Sequence, residues 1–264
     1  MTRWLKRAAD LFFPPVCIGC GTLLDWYGGS KQRTAFCESC EQKWENERLE
    51  TCGICTAPIG SCACVTETME RANCAAFRKL VYYCPGNREK VQSRVIYRMK
   101  DRCTVQIPRF LASQLLVALR ELVKESEASP QDLCIAYVPR SRRAIAEHGT
   151  DQAKLLAKAL SEMAEIPLCH AILRQRRQNR PQKSLTLSER MQNAKQAFML
   201  SKNGLVKGKT VFLVDDIVTT GASMAACAKL LRRAGAKRVY CLAVASDDVN
   251  RDRAQKIAYG DFFL

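Results

Sequence analysis

The stretch VFLVDDIVTTGAS, Val211 to Ser223, sets four apolar residues before two adjacent aspartates, then two threonines and a glycine. Residues 211–214 carry no polar group, as expected of a central parallel strand covered on both faces. The next segment, ASMAACAKLLRRAGA (222–236), has helical periodicity, with Met224, Cys227, Ala228 and Leu231 on one face and Gly235 near its end. This spacing predicts that 215–221 is the loop leaving the carboxyl end of a strand and starting a helix. Open α/β sheets bind ligands at such loops.

Each residue type there suits one part of a ribose phosphate. A helix N-terminus offers free backbone N–H groups and a partial positive charge, so Thr219, Thr220 and Gly221 suit a phosphate, with hydroxyls as extra donors. Ionised Asp215 and Asp216 only accept hydrogen bonds and therefore suit two donors, such as the 2′ and 3′ hydroxyls of a ribose. A Walker A loop would need Gly-Lys-Ser/Thr, and no lysine is present here. An aspartyl-phosphate nucleophile would leave Thr-Thr-Gly without a role. Simple helix capping needs one such residue, not five in order.

Outward from this stretch, strand and helix patterns alternate from about residue 71. CAAFRKLVYY (74–83) reads as a strand. NREKVQSRVIYRMK (87–100) places Val91, Val95, Ile96 and Met99 on one helical face, and a second helix follows Pro108. LCIAYVP (133–139) reads as a buried strand, and DQAKLLAKALSEMAEI as an amphipathic helix with Leu155, Leu156, Ala159, Leu160 and Met163 inward. The fold class expected is α/β, a parallel sheet flanked by helices. The first quarter differs. Eight of the fifteen cysteines lie there, as Cys17 and Cys20, Cys37 and Cys40, Cys52 and Cys55, then Cys62 and Cys64. C-x-x-C lets two thiolates of one turn reach the same zinc, and two pairs complete a tetrahedral site. The simplest grouping is one zinc on Cys17, Cys20, Cys37 and Cys40 and another on Cys52, Cys55, Cys62 and Cys64, although interleaved pairing has the same ligand count. The last pair is C-x-C, so buried or surface thiols are the alternative for that group. Four cysteine ligands leave no open position for substrate, so the metal is expected to be structural. We expect a cysteine-rich zinc-binding module over 1–70 and a larger α/β domain over 71–264.

Composition narrows the function. Forty-two basic and twenty-six acidic residues give +16, which favours an anionic partner such as nucleic acid or a phosphate-rich metabolite. Apolar residues make up 47%, and no apolar run reaches the length of a membrane span. The N-terminal MTRWLKRAADLFFPP is broken by charges and ends in a proline pair, so a cleaved signal peptide is not expected, and the location expected is cytoplasmic.

With these residues in view, the chain resembles a known family. VFLVDDIVTTGAS looks like the 5-phosphoribosyl-1-pyrophosphate (PRPP) loop of type I phosphoribosyltransferases. Together with the cysteine pairs, VPRSRRAIAEHGTDQ (138–152) and RQNRPQKSLTLSERMQNAKQAF (177–198), the chain resembles the ComF family of natural competence. The resemblance implies that Asp215 and Asp216 hold the ribose hydroxyls and serve any catalysis, and that Thr219, Thr220, Gly221, Ala222 and Ser223 hold the 5′-phosphate. It also implies that the segment after Pro139, with Arg142, Arg143 and Gln152, approaches a pyrophosphate bridged by Mg2+. His148, Thr150 and Asp151 depart from the family's Arg, Phe and Asn. Partners implied are PRPP, single-stranded DNA, and a competence helicase or ATPase with other DNA-processing proteins.

LRQRRQNRPQKSLTLSER (173–190) carries Arg174, Arg176, Arg177, Arg180, Lys183 and Arg190 against one acid, which suits contact with pyrophosphate or with single-stranded DNA. Two functions follow: a PRPP-binding competence protein that assists handling of imported single-stranded DNA, or a phosphoribosyltransferase that transfers ribose 5-phosphate to a base or similar small acceptor.

Overall fold

The computed structural model describes residues 14–24, 35–84, 86–101, 106–169, 173–175, 198–200 and 206–247. In chain order the described elements are α1 (Glu38–Arg48), α2 (Glu67–Glu70), β1 (Phe77–Tyr83), α3 (Val91–Asp101), α4 (Gln106–Ser126), β2 (Leu133–Tyr137), α5 (Arg142–His148) and α6 (Gln152–Ala164). They continue with β3 (Leu173–Gln175), β4 (Phe198–Leu200), β5 (Thr210–Val218), α7 (Ala222–Arg233) and β6 (Arg238–Asp247). Four strands form a parallel sheet in the order β1-β6-β5-β2. Helices joining parallel strands must cross over a face, so both faces are covered and the strands lose the polar alternation of a half-exposed sheet.

Alternation survives as a choice between two apolar cores. Phe212 and Val214 of β5, with Tyr240, Leu242 and Val244 of β6, join Leu111, Leu115 and Leu119 of α4 and Leu156 and Leu160 of α6. Val211 and Leu213, with Val239, Cys241 and Ala243, face the other way against Met224, Cys227, Ala228 and Leu231 of α7. Val91, Val95, Ile96 and Met99 are all fully buried, as the periodicity predicts. Several boundaries differ from expectation. Strand β1 begins at Phe77 and helix α3 at Val91, a few residues into the stretches 74–83 and 87–100. Helix α4 begins at Gln106, before Pro108, because a proline in the first turn removes only an N–H that has no intrahelical acceptor. Strand β5 runs on to Val218, so both aspartates lie in the strand and the turn shrinks to 219–221. Continued pairing with β6, Asp215 with Ala243 and Ile217 with Ala245, keeps that end extended.

The cysteine-rich segment packs into both cores. Cys17, Ile18, Phe36, Cys40 and Trp44 belong to the core under α3 and α4, and Trp44 lies 5.8 Å, ring to ring, from Phe110 of α4. Trp44 is thus a core residue. Met69, Ala72 and Cys74 belong to the other core, beside α7. Glu47 of α1 accepts hydrogen bonds from the N–H groups of Val91 (3.0 Å) and Gln92 (2.8 Å), and so serves two donors that the first turn of α3 leaves without helical acceptors. Lys90 and Glu50 form an ion pair at 2.6 Å beside it. Among the described residues, no helix is long and apolar enough to cross a membrane.

Candidate functional site

The carboxyl ends of β5 and β2 bring three acidic groups and one cation together. Asp215 and Asp216 are buried although both are polar. Asp215 Oδ1 accepts from the Asp216 N–H at 2.8 Å, and Asp216 Oδ1 accepts from the Ile217 N–H at 3.0 Å. Asp216 Oδ2 accepts from Arg140 Nη2 at 2.6 Å, an ion pair with the arginine and aspartate side chains 19% and 9% exposed. Arg140 stands three residues beyond β2, and its own N–H donates to Asp151 Oδ2 at 3.1 Å. Asp151 in turn caps α6 by accepting from the Lys154 N–H at 3.1 Å. Burial, reinforced by the neighbouring Asp216 charge, pushes the Asp215 carboxyl well above its ordinary range. Burial also raises Asp151, against hydrogen bonds from the Arg140 and Lys154 amides. Strand β5 thus ends in acceptor groups held at an electrostatic cost, a pattern concentrated at functional sites.

Across the three-residue turn lies the N-terminus of α7. Its N-cap is Gly221, in the left-handed region at φ 75°, and no side chain caps the helix. Thr219 and Ser223 are exposed, and Thr220 and Ala222 half-buried. The Thr220 hydroxyl accepts from the Ala222 N–H at 3.4 Å. An uncapped helix start with three hydroxyl side chains around it is a ready anion site. Gly221 is required twice over: a Cβ there would overlap Thr66 Oγ1 and stand 2.9 Å from Met69 Cγ, and its positive φ is costly for alanine. Gly221→Ala is expected to destabilise the chain by about 2 kcal/mol, seen as a lower midpoint in urea. An unchanged midpoint would mean that α2 moves aside freely.

The other expected site residues are placed unevenly. Arg142 and Arg143 open α5, which Ser141 caps by accepting from the Ala144 N–H at 3.0 Å. Gln152 is enclosed, and its Nε2 donates to the Met99 carbonyl at 3.4 Å. Arg174 lies in β3, which pairs antiparallel with β4 and so brings together the chain on either side of 176–197. Arg176, Arg177, Arg180, Lys183 and Arg190 lie outside the described residues. Arg140 was missed, although it stands in the basic run VPRSRR where a counter-charge for the aspartates could have been sought.

Both cysteine groups assemble in the simple, non-interleaved pairing. The sulfurs of Cys17, Cys20, Cys37 and Cys40, and those of Cys52, Cys55, Cys62 and Cys64, each lie within 4.8 Å of one another. Cys20 and Cys37 sulfurs are 3.7 Å apart, close to the roughly 3.8 Å edge of a tetrahedron with 2.3 Å metal–sulfur bonds. Each group could therefore hold a metal ion. Four thiols this close cannot all ionise without a cation. Burial and neighbouring thiols push Cys40 and Cys64 up to about 12. At Cys20, hydrogen bonds from Thr22, Cys17 and Cys37 outweigh burial and bring it down to about 6. Cationic side chains attend both groups. Arg94 donates to the Gly19 carbonyl at 2.9 Å and Arg98 to the Cys17 carbonyl at 2.8 Å, while Lys79 Nζ lies 3.2 Å from Cys62 Sγ. Outer partners of this kind orient metal ligands.

Residues 144–262 match the phosphoribosyl transferase domain family. Competence protein F of Haemophilus influenzae is 33% identical over 149 residues, covering 56% of this chain and 64% of that protein. These two matches support a ComF-family reading with a phosphoribosyltransferase-like domain. DNA utilization protein YhgH of Escherichia coli K12 is 30% identical over 152 residues, covering 57% of this chain and 66% of that protein. The aligned part thus spans just under two thirds of the length of these relatives. Ribose-phosphate pyrophosphokinase of a Nostoc species is 49% identical over 57 residues, 22% of this chain and 17% of that enzyme.

Proposed function

We propose that this chain is a ComF-family protein that binds PRPP with Mg2+ at the β5–α7 turn and assists the handling of imported single-stranded DNA in the cytoplasm, with a zinc ion in each cysteine group. The observation that carries the first half is the pair of buried aspartates on one side of a three-residue turn, with an uncapped helix start on the other. One side accepts hydroxyl protons and the other receives a phosphate. Arg140, already drawn in by Asp216, supplies positive charge for the pyrophosphate. The second half is supported by the likeness to competence protein F and the DNA utilization proteins, and by a net charge of +16.

Two measurements test it. Calorimetry with PRPP and magnesium should give saturable binding, and its absence would end the proposal for the turn. Single-stranded DNA binding should weaken steeply with salt, each phosphate contact contributing about −0.7 to the slope of log K against log salt. Neutralising Arg174, Arg176 and Arg177 should then flatten that slope by about 2. No binding at low salt would remove DNA from the proposal. Pyrophosphate release from PRPP in the presence of a base or nucleoside would favour a transferase instead.

A further inference from the structure

We infer that Thr66 is a positioning residue for the phosphate turn, and that a metal ion at Cys52, Cys55, Cys62 and Cys64 and a 5′-phosphate at the turn strengthen each other's binding. The inference rests on the phosphate and zinc readings above and adds a connection between them. Only Val65 separates the last ligand, Cys64, from Thr66. Thr66 caps α2 through its side chain, which accepts from the Met69 N–H at 3.3 Å, and the same hydroxyl donates to the Thr220 carbonyl at 3.4 Å. One turn further on, Met69 is fully buried against the turn, with Cγ 2.9 Å and Sδ 3.1 Å from where a Gly221 Cβ would stand. The turn therefore rests on α2, and α2 starts where the second cysteine group ends.

The other side of that group is held as firmly. Lys79, 4% exposed on β1, lies 3.2 Å from Cys62 Sγ and 5.0 Å from the Phe77 ring centre. Strand β1 pairs with β6, and Ser246 of β6 pairs with Val218 of β5, one residue before the phosphate turn. Between these supports the segment has little core of its own: Cys52, Ile59 and Cys62 with Tyr82, and Cys64 partly buried beside them. Two of its three buried members are ligands. Without the metal, few contacts fix where Thr66 begins α2, so the hydroxyl and Met69 lose their defined position under the turn. Ordering paid once by the metal need not be met again by the ligand, which is the condition for positive coupling.

Coupling of binding equilibria is reciprocal, which gives a test on the unmodified chain. Zinc-loaded protein is brought to equilibrium with a chromogenic chelator, with and without saturating ribose 5-phosphate, a probe that carries the 5′-phosphate and needs no magnesium. Thiols freed in each case are alkylated and located by peptide mass. The expected result is that ribose 5-phosphate raises zinc affinity at Cys52 to Cys64 by about fivefold or more, with no change at Cys17 to Cys40. Thr66→Val should lower ribose 5-phosphate affinity by a similar factor, and Thr66→Ser should restore it, because serine keeps the hydroxyl. Ribose 5-phosphate binding with zinc affinity unchanged at the second group overturns the coupling and leaves the phosphate reading standing. Failure of the wild-type chain to bind ribose 5-phosphate overturns both. Equal loss in the valine and serine variants would show that the hydroxyl does not position the turn.

Discussion

The double variant Asp215→Asn with Asp216→Asn is expected to lose about 100-fold or more in affinity for PRPP with magnesium, while Asp215→Asn alone raises thermal stability near neutral pH. A hydrogen bond to a charged acceptor is worth about 1.5–3 kcal/mol, so two such bonds to a ribose diol reach that factor. The stability gain follows from the burial of Asp215. Its carboxyl is held well above the ordinary carboxylate range, first by burial and then by the Asp216 charge. A raised folded-state pKa means that the folded chain holds its proton more tightly than the unfolded one. Stability from this group is therefore full below the unfolded value of about 4 and is lost as pH rises beyond it. Asparagine carries no charge to bury and can still accept from the Asp216 N–H. The variant should gain a few degrees in melting temperature at pH 7 and nothing near pH 4. A lower melting temperature at pH 7 would contradict the burial argument, and unchanged PRPP affinity in the double variant would contradict the ribose assignment.

Removing metal from both cysteine groups is expected to lower the melting temperature by more than about 10 °C and to shift tryptophan emission to the red. Structural zinc binding reaches about 10–16 kcal/mol in small zinc domains, and a chain of this size moves by about 2–4 °C per kcal/mol. The loss should spread beyond the cysteine segment. Cys17, Ile18, Phe36 and Trp44 share a core with α3 and α4, and Trp44 touches Phe110. Acidification should act in the same direction, because the ligands must be deprotonated to hold the ion. Calorimetric scans with and without chelator, readout by stoichiometric zinc, decide the point. A midpoint that does not move while zinc is fully released would show that packing alone carries this region.

Much of this architecture is legible in local sequence. The apolar run 211–214, the faces of α3, α6 and α7, and the cysteine spacings all report periods or short separations, so they survive without knowledge of distant contacts. What local reading missed is held by partners far along the chain. Arg140 pairs with Asp216 across 76 residues, Thr66 reaches Thr220 across 154, and Lys79 meets Cys62 only after β1 is placed. The end of β5 was misplaced for the same reason: two adjacent aspartates read locally as a loop, but pairing of Asp215 with Ala243 and of Ile217 with Ala245 keeps that end in the strand. The basic segment 173–190 is legible in charge, and all but its β3 start lies outside the described residues.

The clasp of the cysteine-rich segment over both cores also bears on the order in which the chain can fold. These residues leave the ribosome before the segments they pack against, so Trp44 must wait for Phe110, Glu47 for the start of α3, and Met69 for α7. Contacts of such sequence separation close late and slow the search for the native state. A newly made chain can therefore hold its metal ligands ready well before the apolar surfaces around them have anything to bury against. Synthesis in a zinc-poor cell should then cost this protein in yield during production, more than in activity of the molecules that do fold.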